Sequence, residues 1–122
     1  MGARIRIGPF FPMVGYRMSL RHIVFFWLKN PEVPADRDSL VAGLSTLAEI
    51  PGIRDMHIGY PAPTEERGVI DASYDVSEIM TFDNVEDQNS YQVHPVHQAF
   101  IRDYGHLWDR VVVYDSLDMP AA

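Results

Sequence analysis

The sequence contains no cysteine, which excludes disulfide staples, thiolate metal sites and cysteine nucleophiles. Basic residues are scarce: 10 Lys and Arg stand against 17 Asp and Glu, a formal net charge of −7. That balance argues against nucleic acid or an anionic membrane as a partner. No stretch approaches the roughly 20 consecutive apolar residues that a membrane-spanning helix needs. There is no internal repeat and no low-complexity segment, and the composition is not that of a disordered chain. The paired histidines and intervening glutamate on one helix that mark zinc proteases are missing as well.

What is present suffices for one domain and no more: 122 residues, 47% of them hydrophobic. Residues 1–17, MGARIRIGPFFPMVGYR, read as an irregular arm or a start taken too early. Pro9 and Pro12 break the apolar part, no small-residue cleavage site follows, and Arg6 stands where a myristoylation motif needs Ser or Thr. Met18 is the expected true start, with the domain over 18–117 and a tail over 118–122. The expected compartment is the cytoplasm.

"SLRHIVFFWLKN" is β-branched and aromatic from Ile23 to Leu28 and predicts a strand apolar on both faces. One row is His22, Val24, Phe26 and Leu28; the other is Arg21, Ile23, Phe25 and Trp27. Leu40, Val41, Leu44, Leu47 and Ala48 recur at helical spacing, after the acids Asp36 and Asp38 that suit a helix start and before Pro51 and Gly52 that end it. "IRDMHIGYP" alternates, placing Met56, Ile58 and Tyr60 on one face of a strand. "VIDASYDVSEIMTFDN" predicts another, its period-two signal carried by Tyr74, Val76, Met80 and Phe82. "VEDQNSYQV" predicts a short helix, "PVHQAFIRDYGHLW" a helix to about Gly105, and "DRVVVYDSL" a last strand. The order β-α-β-β-α-β is an α+β, ferredoxin-like arrangement: a four-stranded antiparallel sheet with helices on one side. The uncovered face, expected to hold Val24, Phe26 and one set from Val111 to Val113, would be a large apolar patch. A second copy on a two-fold axis covers it, so a homodimer closing into an α/β barrel is expected.

"SYQVHPVHQAFIRDYGHLW" holds three of the five histidines. Pro95 suits the first position of a helix and pushes His94 into an extended conformation, so His94 reads as the N-cap and His97 falls in the first turn. These two do not share a face, and a metal would need further ligands, with His22, His57 and Asp115 the available ones; no metal site is expected. An acid–base site suits the residues better. A helix N-terminus disfavours positive charge, which keeps His97 neutral and able to act as a general base. Asp115 can orient it, and Tyr91 can donate to a developing oxyanion. The plain alternative is that His94 caps the helix, His97 packs at the sheet edge and Tyr91 is core.

"RHIVFFWLKN", "SYDVSEIMTF", "YQVHPVHQAF" and "LWDRVVVYDS" together resemble the stress-responsive A/B barrel (Dabb) family, over about Met18 to Leu117. The resemblance implies the dimeric α/β-barrel architecture. Most members have no established activity, while one plant branch closes a linear polyketide acid by intramolecular aldol condensation without a cofactor. Carried over residue by residue, it implies His97 as the base, Tyr91 as its carbonyl partner, His22 in the pocket and Asp115 orienting the base. A further pocket histidine of that branch falls at about Val76, and the loop "GYPAPTEERGVID" differs from it. The expectation is therefore a cofactor-free, cyclase-like protein acting on an enolisable, polyketide-like carbonyl compound, with Val24, Phe26, Val76 and His94 lining the pocket. The alternatives are a non-catalytic small-molecule binder and a structural stress-response dimer.

Overall fold

In the computed structural model, which describes residues 18–120, β1 (Leu20–Leu28) is the centre of the sheet. It pairs antiparallel with β3 (Val76–Phe82) on one side and with β4 (Trp108–Leu117) on the other. β2 (Ile53–Gly59) pairs with β3, giving the order β2-β3-β1-β4. This is the ferredoxin-like antiparallel sheet that the alternation predicts. The arm over 1–17 and the last two tail residues lie outside the described residues.

Three helices cover one face. α1 (Pro34–Thr46) starts on Pro34, whose missing N–H is one of those a helix start leaves unpaired, and carries Asp36 in its first turn. The apolar row expected to continue as α-helix tightens into a 3₁₀ turn over Leu47–Glu49 before Gly52, at φ 98°, reverses the chain. α2 (Val85–Gln92) is capped by Asn84, whose side chain accepts from the Asp87 N–H at 2.7 Å. α3 (Pro95–Tyr104) follows after a break of two residues. Gly43 fixes how α1 and α3 meet: a Cβ there would lie 2.7 Å from the Tyr104 ring, so only glycine lets that ring rest on α1.

Two expectations need correction. The segment from Val69 to Asp75 is not strand, and the Tyr74 ring packs against Phe25 (centroids 4.8 Å apart), away from Val76. More important, the two rows of β1 are exchanged. His22, Val24 and Phe26 face the helices and are buried, with Leu40, Leu44, Met80 and Phe82 around them. The uncovered face carries Ile23, Phe25 and Trp27, and through the strand register Ile79, Val112 and Tyr114. Val111 and Val113 share the Val24 face, yet stay 43% and 45% exposed because β4 is an edge strand beyond the helices' reach.

Candidate functional site

Where α3 meets the β1–β4 end of the sheet the helices leave a groove of about 180 Å³. His22, Val24 and Phe26 of β1 form its floor, Val111 and Val113 its outer edge, and Tyr91, His97 and Phe100 its roof. Phe100 stacks on Trp108 and on Tyr104, so α3 is held by an aromatic column that continues the core. The walls are mostly apolar, and four titratable groups meet there: His22, Glu78, Tyr91 and His97.

The orientation of His97 follows from the break between α2 and α3. Pro95 excludes helical backbone at His94, which is extended at φ −67°, ψ 140°. The last carbonyls of α2 therefore have no next helical turn to accept from. One of them, Gln92 O, lies 3.1 Å from His97 Nδ1. A carbonyl can only accept, so Nδ1 carries the proton and Nε2 holds the lone pair. Nε2 has no protein partner among the described residues. Burial lowers the His97 pKa below its ordinary value; the Gln92 bond opposes this and the neighbouring His22 adds to it. The result is a half-buried imidazole, neutral near pH 7, in the tautomer a base needs.

Tyr91, at the end of α2, lies under this ring with centroids 4.7 Å apart and is 2% exposed. Burial, then the charge of Glu78, pushes its phenol far above the ordinary value, so it stays a proton donor throughout the neutral range. His22 meets Tyr91 edge-on at 5.6 Å. Its Nδ1 lies 2.6 Å from Asp115 Oδ1, so the carboxylate expected to orient His97 binds His22 instead. The register explains this: Asp115 stands directly opposite His22 on the neighbouring strand, whereas His97 is on the helix layer.

The expected wall residues divide. Val24 and Phe26 line the groove. Val76 is on the same sheet face but opens into a separate hollow of about 410 Å³ with Arg37, Val41, Ile58, Gly59 and Tyr60. His94 is the N-cap of α3: its Nδ1 accepts from the Val96 N–H at 3.0 Å, and it does not line the groove. Among the described residues, no three His, Asp or Glu side chains cluster so as to hold a metal ion. Among the described residues, no helix is long and apolar enough to cross a membrane.

Two polar residues of the groove went unrecognised in the sequence. Gln92 acts through its backbone and leaves no side-chain signal. Glu78 does leave one, since it occupies an inward position between Val76 and Met80 in the apolar row of β3.

The family described as the stress responsive A/B barrel domain matches residues 20–118. No curated protein matches the chain. Among solved structures, a Dabb family protein with a ferredoxin-like fold from Mesorhizobium loti is 21% identical, covering 84% of this chain and 99% of its own, at TM-score 0.68. A dimeric ferredoxin-like protein of unknown function from Thermobifida fusca is 23% identical, covering 89% and 95%, at TM-score 0.65. A hydroxynitrile lyase from Passiflora edulis is 21% identical, covering 83% and 94%, at TM-score 0.69. At these identities the likenesses show the fold.

Proposed function

This chain belongs to the stress responsive A/B barrel domain family, and from that premise we propose a cytoplasmic homodimer whose groove removes an acidic α-proton from a small, largely apolar carbonyl compound without a cofactor. The observation that carries the reading is the Gln92 carbonyl on His97 Nδ1, which leaves Nε2 as a lone pair in an apolar groove. In the step, the Cα–H bond breaks and its proton passes to Nε2, forming imidazolium. The electron pair becomes the C=C of an enolate and the charge moves to the carbonyl oxygen, where the Tyr91 O–H donates to it. The His22–Asp115 pair fixes the floor of the groove, and Val24 and Phe26 keep water from the enolate. General-base help of this kind is worth about 10²–10⁴-fold, so the substrate proton is already acidic, as in a β-polyketone. The likeness to a hydroxynitrile lyase supports an enzymatic use of this fold.

The second copy, on this reading, covers the Ile23, Phe25 and Trp27 face. The relatives described as dimeric support that pairing.

The test is deuterium uptake into the central methylene of benzoylacetone, a β-diketone, in D₂O, followed by NMR with the full chain. Exchange above the buffer rate is expected, and His97→Ala is expected to abolish it while leaving ketone binding in place. Binding without exchange would assign the groove to a non-catalytic binder.

A further inference from the structure

Glu78 is 1% exposed, and its Oε2 is the one buried side-chain nitrogen or oxygen without a hydrogen-bond partner among the described residues. Such an orphan is expensive, and an apolar residue of similar size would serve packing better. Among the described residues, no lysine or arginine faces it. β1 brings His22, α2 brings Tyr91 and α3 brings His97, whereas the strand residues opposite Glu78 are Val24 and Ile58 and β4 adds Val111 and Val113.

We propose that Glu78 is a ligand-contact group: as an uncharged carboxylic acid it donates its proton in a hydrogen bond to a carbonyl or hydroxyl oxygen of the bound molecule, and so selects neutral oxygen-bearing ligands over carboxylates. Three observations converge on this. Glu78 lines the same groove as His97 and Tyr91, so a ligand seated there lies beside all three. Its unpartnered oxygen gives a ligand oxygen something to complete that the protein leaves incomplete. Loss of hydration pushes its pKa up to about 8, so it is protonated near pH 7. A ligand carboxylate would shed its hydration in a groove whose described residues include no lysine or arginine, which disfavours it strongly. The inference rests on the groove being the ligand site and names the feature that chooses the ligand. A buried base with its proton off and a buried acid with its proton on are two groups whose surroundings push their protonation in complementary directions.

The experiment uses two probes of similar size, acetophenone and benzoate, with affinities read from NMR shifts of the full-length protein at about pH 6.5 and about pH 9. Acetophenone is expected to bind more tightly than benzoate at the lower pH. Its affinity is expected to fall about tenfold at the higher pH, as Glu78 ionises and presents only acceptors. Glu78→Gln keeps a neutral donor of the same shape, so it is expected to bind acetophenone equally at both pH values. Glu78→Leu is expected to bind on the order of tenfold more weakly at the lower pH, the loss of one well-made hydrogen bond. Affinity independent of pH in the wild type, Glu78→Leu binding as tightly as wild type, or no binding of acetophenone overturns the proposal. The deuterium uptake of benzoylacetone separates this from the base reading. Glu78-dependent binding without His97-dependent exchange removes the enolisation and leaves Glu78 standing. His97-dependent exchange with binding indifferent to Glu78→Leu removes Glu78 alone.

Discussion

On one face of β1, His22, Val24 and Phe26 lie under the helices and none is more than 5% exposed. On the other, Ile23, Phe25 and Trp27 stand half-buried in a row that none of the described helices covers. Both rows are built from large apolar side chains, and their charged neighbours show how differently they are solvated. Glu78, on the covered side, is driven up to about 8 by loss of hydration. Asp71, beside the Phe25 and Trp27 row, is held below the ordinary carboxylate range by hydrogen bonds from the Ser73 hydroxyl and backbone N–H. One carboxyl is stripped of water with nothing in its place; the other keeps water and gains donors. The uncovered row also offers directional contacts, with the Arg110 guanidinium 4.1 Å above the Trp27 ring and Trp27 Nε1 donating to Ser73 at 3.1 Å. The covered face is a core with a groove let into it, and the other face is an apolar surface that none of the described helices covers.

The sharpest way to break this comparison is to truncate adjacent residues of the two rows. Phe26 meets Trp108 at 5.0 Å and Phe100 at 6.5 Å inside the core. Phe26→Ala is expected to cost about 3–5 kcal/mol in urea unfolding, the transfer loss plus the cavity left behind. Phe25→Ala is expected to cost the subunit much less and to act on association. In the wild type the unfolding midpoint is expected to rise with protein concentration, as for any folded state tied to a dimer. In Phe25→Ala that dependence is expected to weaken, and sedimentation to show a larger monomer fraction. Equal costs for the two variants, with no concentration dependence in either protein, would sink the distinction between the faces.

The next effect in size belongs to Glu78 and sets the sign of the pH dependence. Its folded pKa lies above the unfolded value, so between about 4.5 and about 8 the folded state holds a proton the unfolded state has lost. The stability tied to that proton is complete below the unfolded pKa. It declines as pH rises toward the folded pKa and is gone above it, by roughly a few kcal/mol in all. Glu78→Gln removes the titration, so its stability relative to wild type should grow from pH 5 to pH 8. Parallel stability curves for the two proteins over that range would mean that the carboxyl keeps its water.

Much of this architecture is legible in the sequence because strand and helix periods are strong signals here. The alternation of "IRDMHIG" and "VSEIMTF" and the Pro95 start of α3 each have one ready local reading. The choice of face on β1 does not. With Val24 and Phe26 in one row and Ile23, Phe25 and Trp27 in the other, both rows satisfy the same pattern, and only the docking of helices distant in sequence decides between them. Asp115 and His97 fail to meet for a related reason: cross-strand register is a tertiary fact, and it delivers Asp115 to His22. The acceptor that His97 does find is a backbone carbonyl, which every residue possesses and none advertises. Glu78 was the readable exception, a charge on the inward phase of an otherwise apolar strand.

The smallest expected effect concerns His97, and its smallness is informative. If the imidazole only braced the α2–α3 break, losing its bond to Gln92 O would cost about 1–3 kcal/mol, as for a buried polar group left unmatched. Gln92 is exposed, so water can take up its carbonyl when His97 is gone. His97→Ala is therefore expected to change stability at pH 8 by no more than about 1 kcal/mol. The pH dependence adds a second reading. The folded pKa of His97 lies below its ordinary value, so wild-type stability tied to the neutral ring is present above that value and is lost as pH falls through the folded pKa. His97→Ala does not share this loss, so its deficit against wild type should shrink, or reverse, between pH 8 and pH 5. A deficit of several kcal/mol that stays constant over that range would make His97 a structural brace and remove it from the candidate site. A small deficit that closes on acidification leaves a ring held neutral at some cost to the fold, as expected of a group kept for its chemistry.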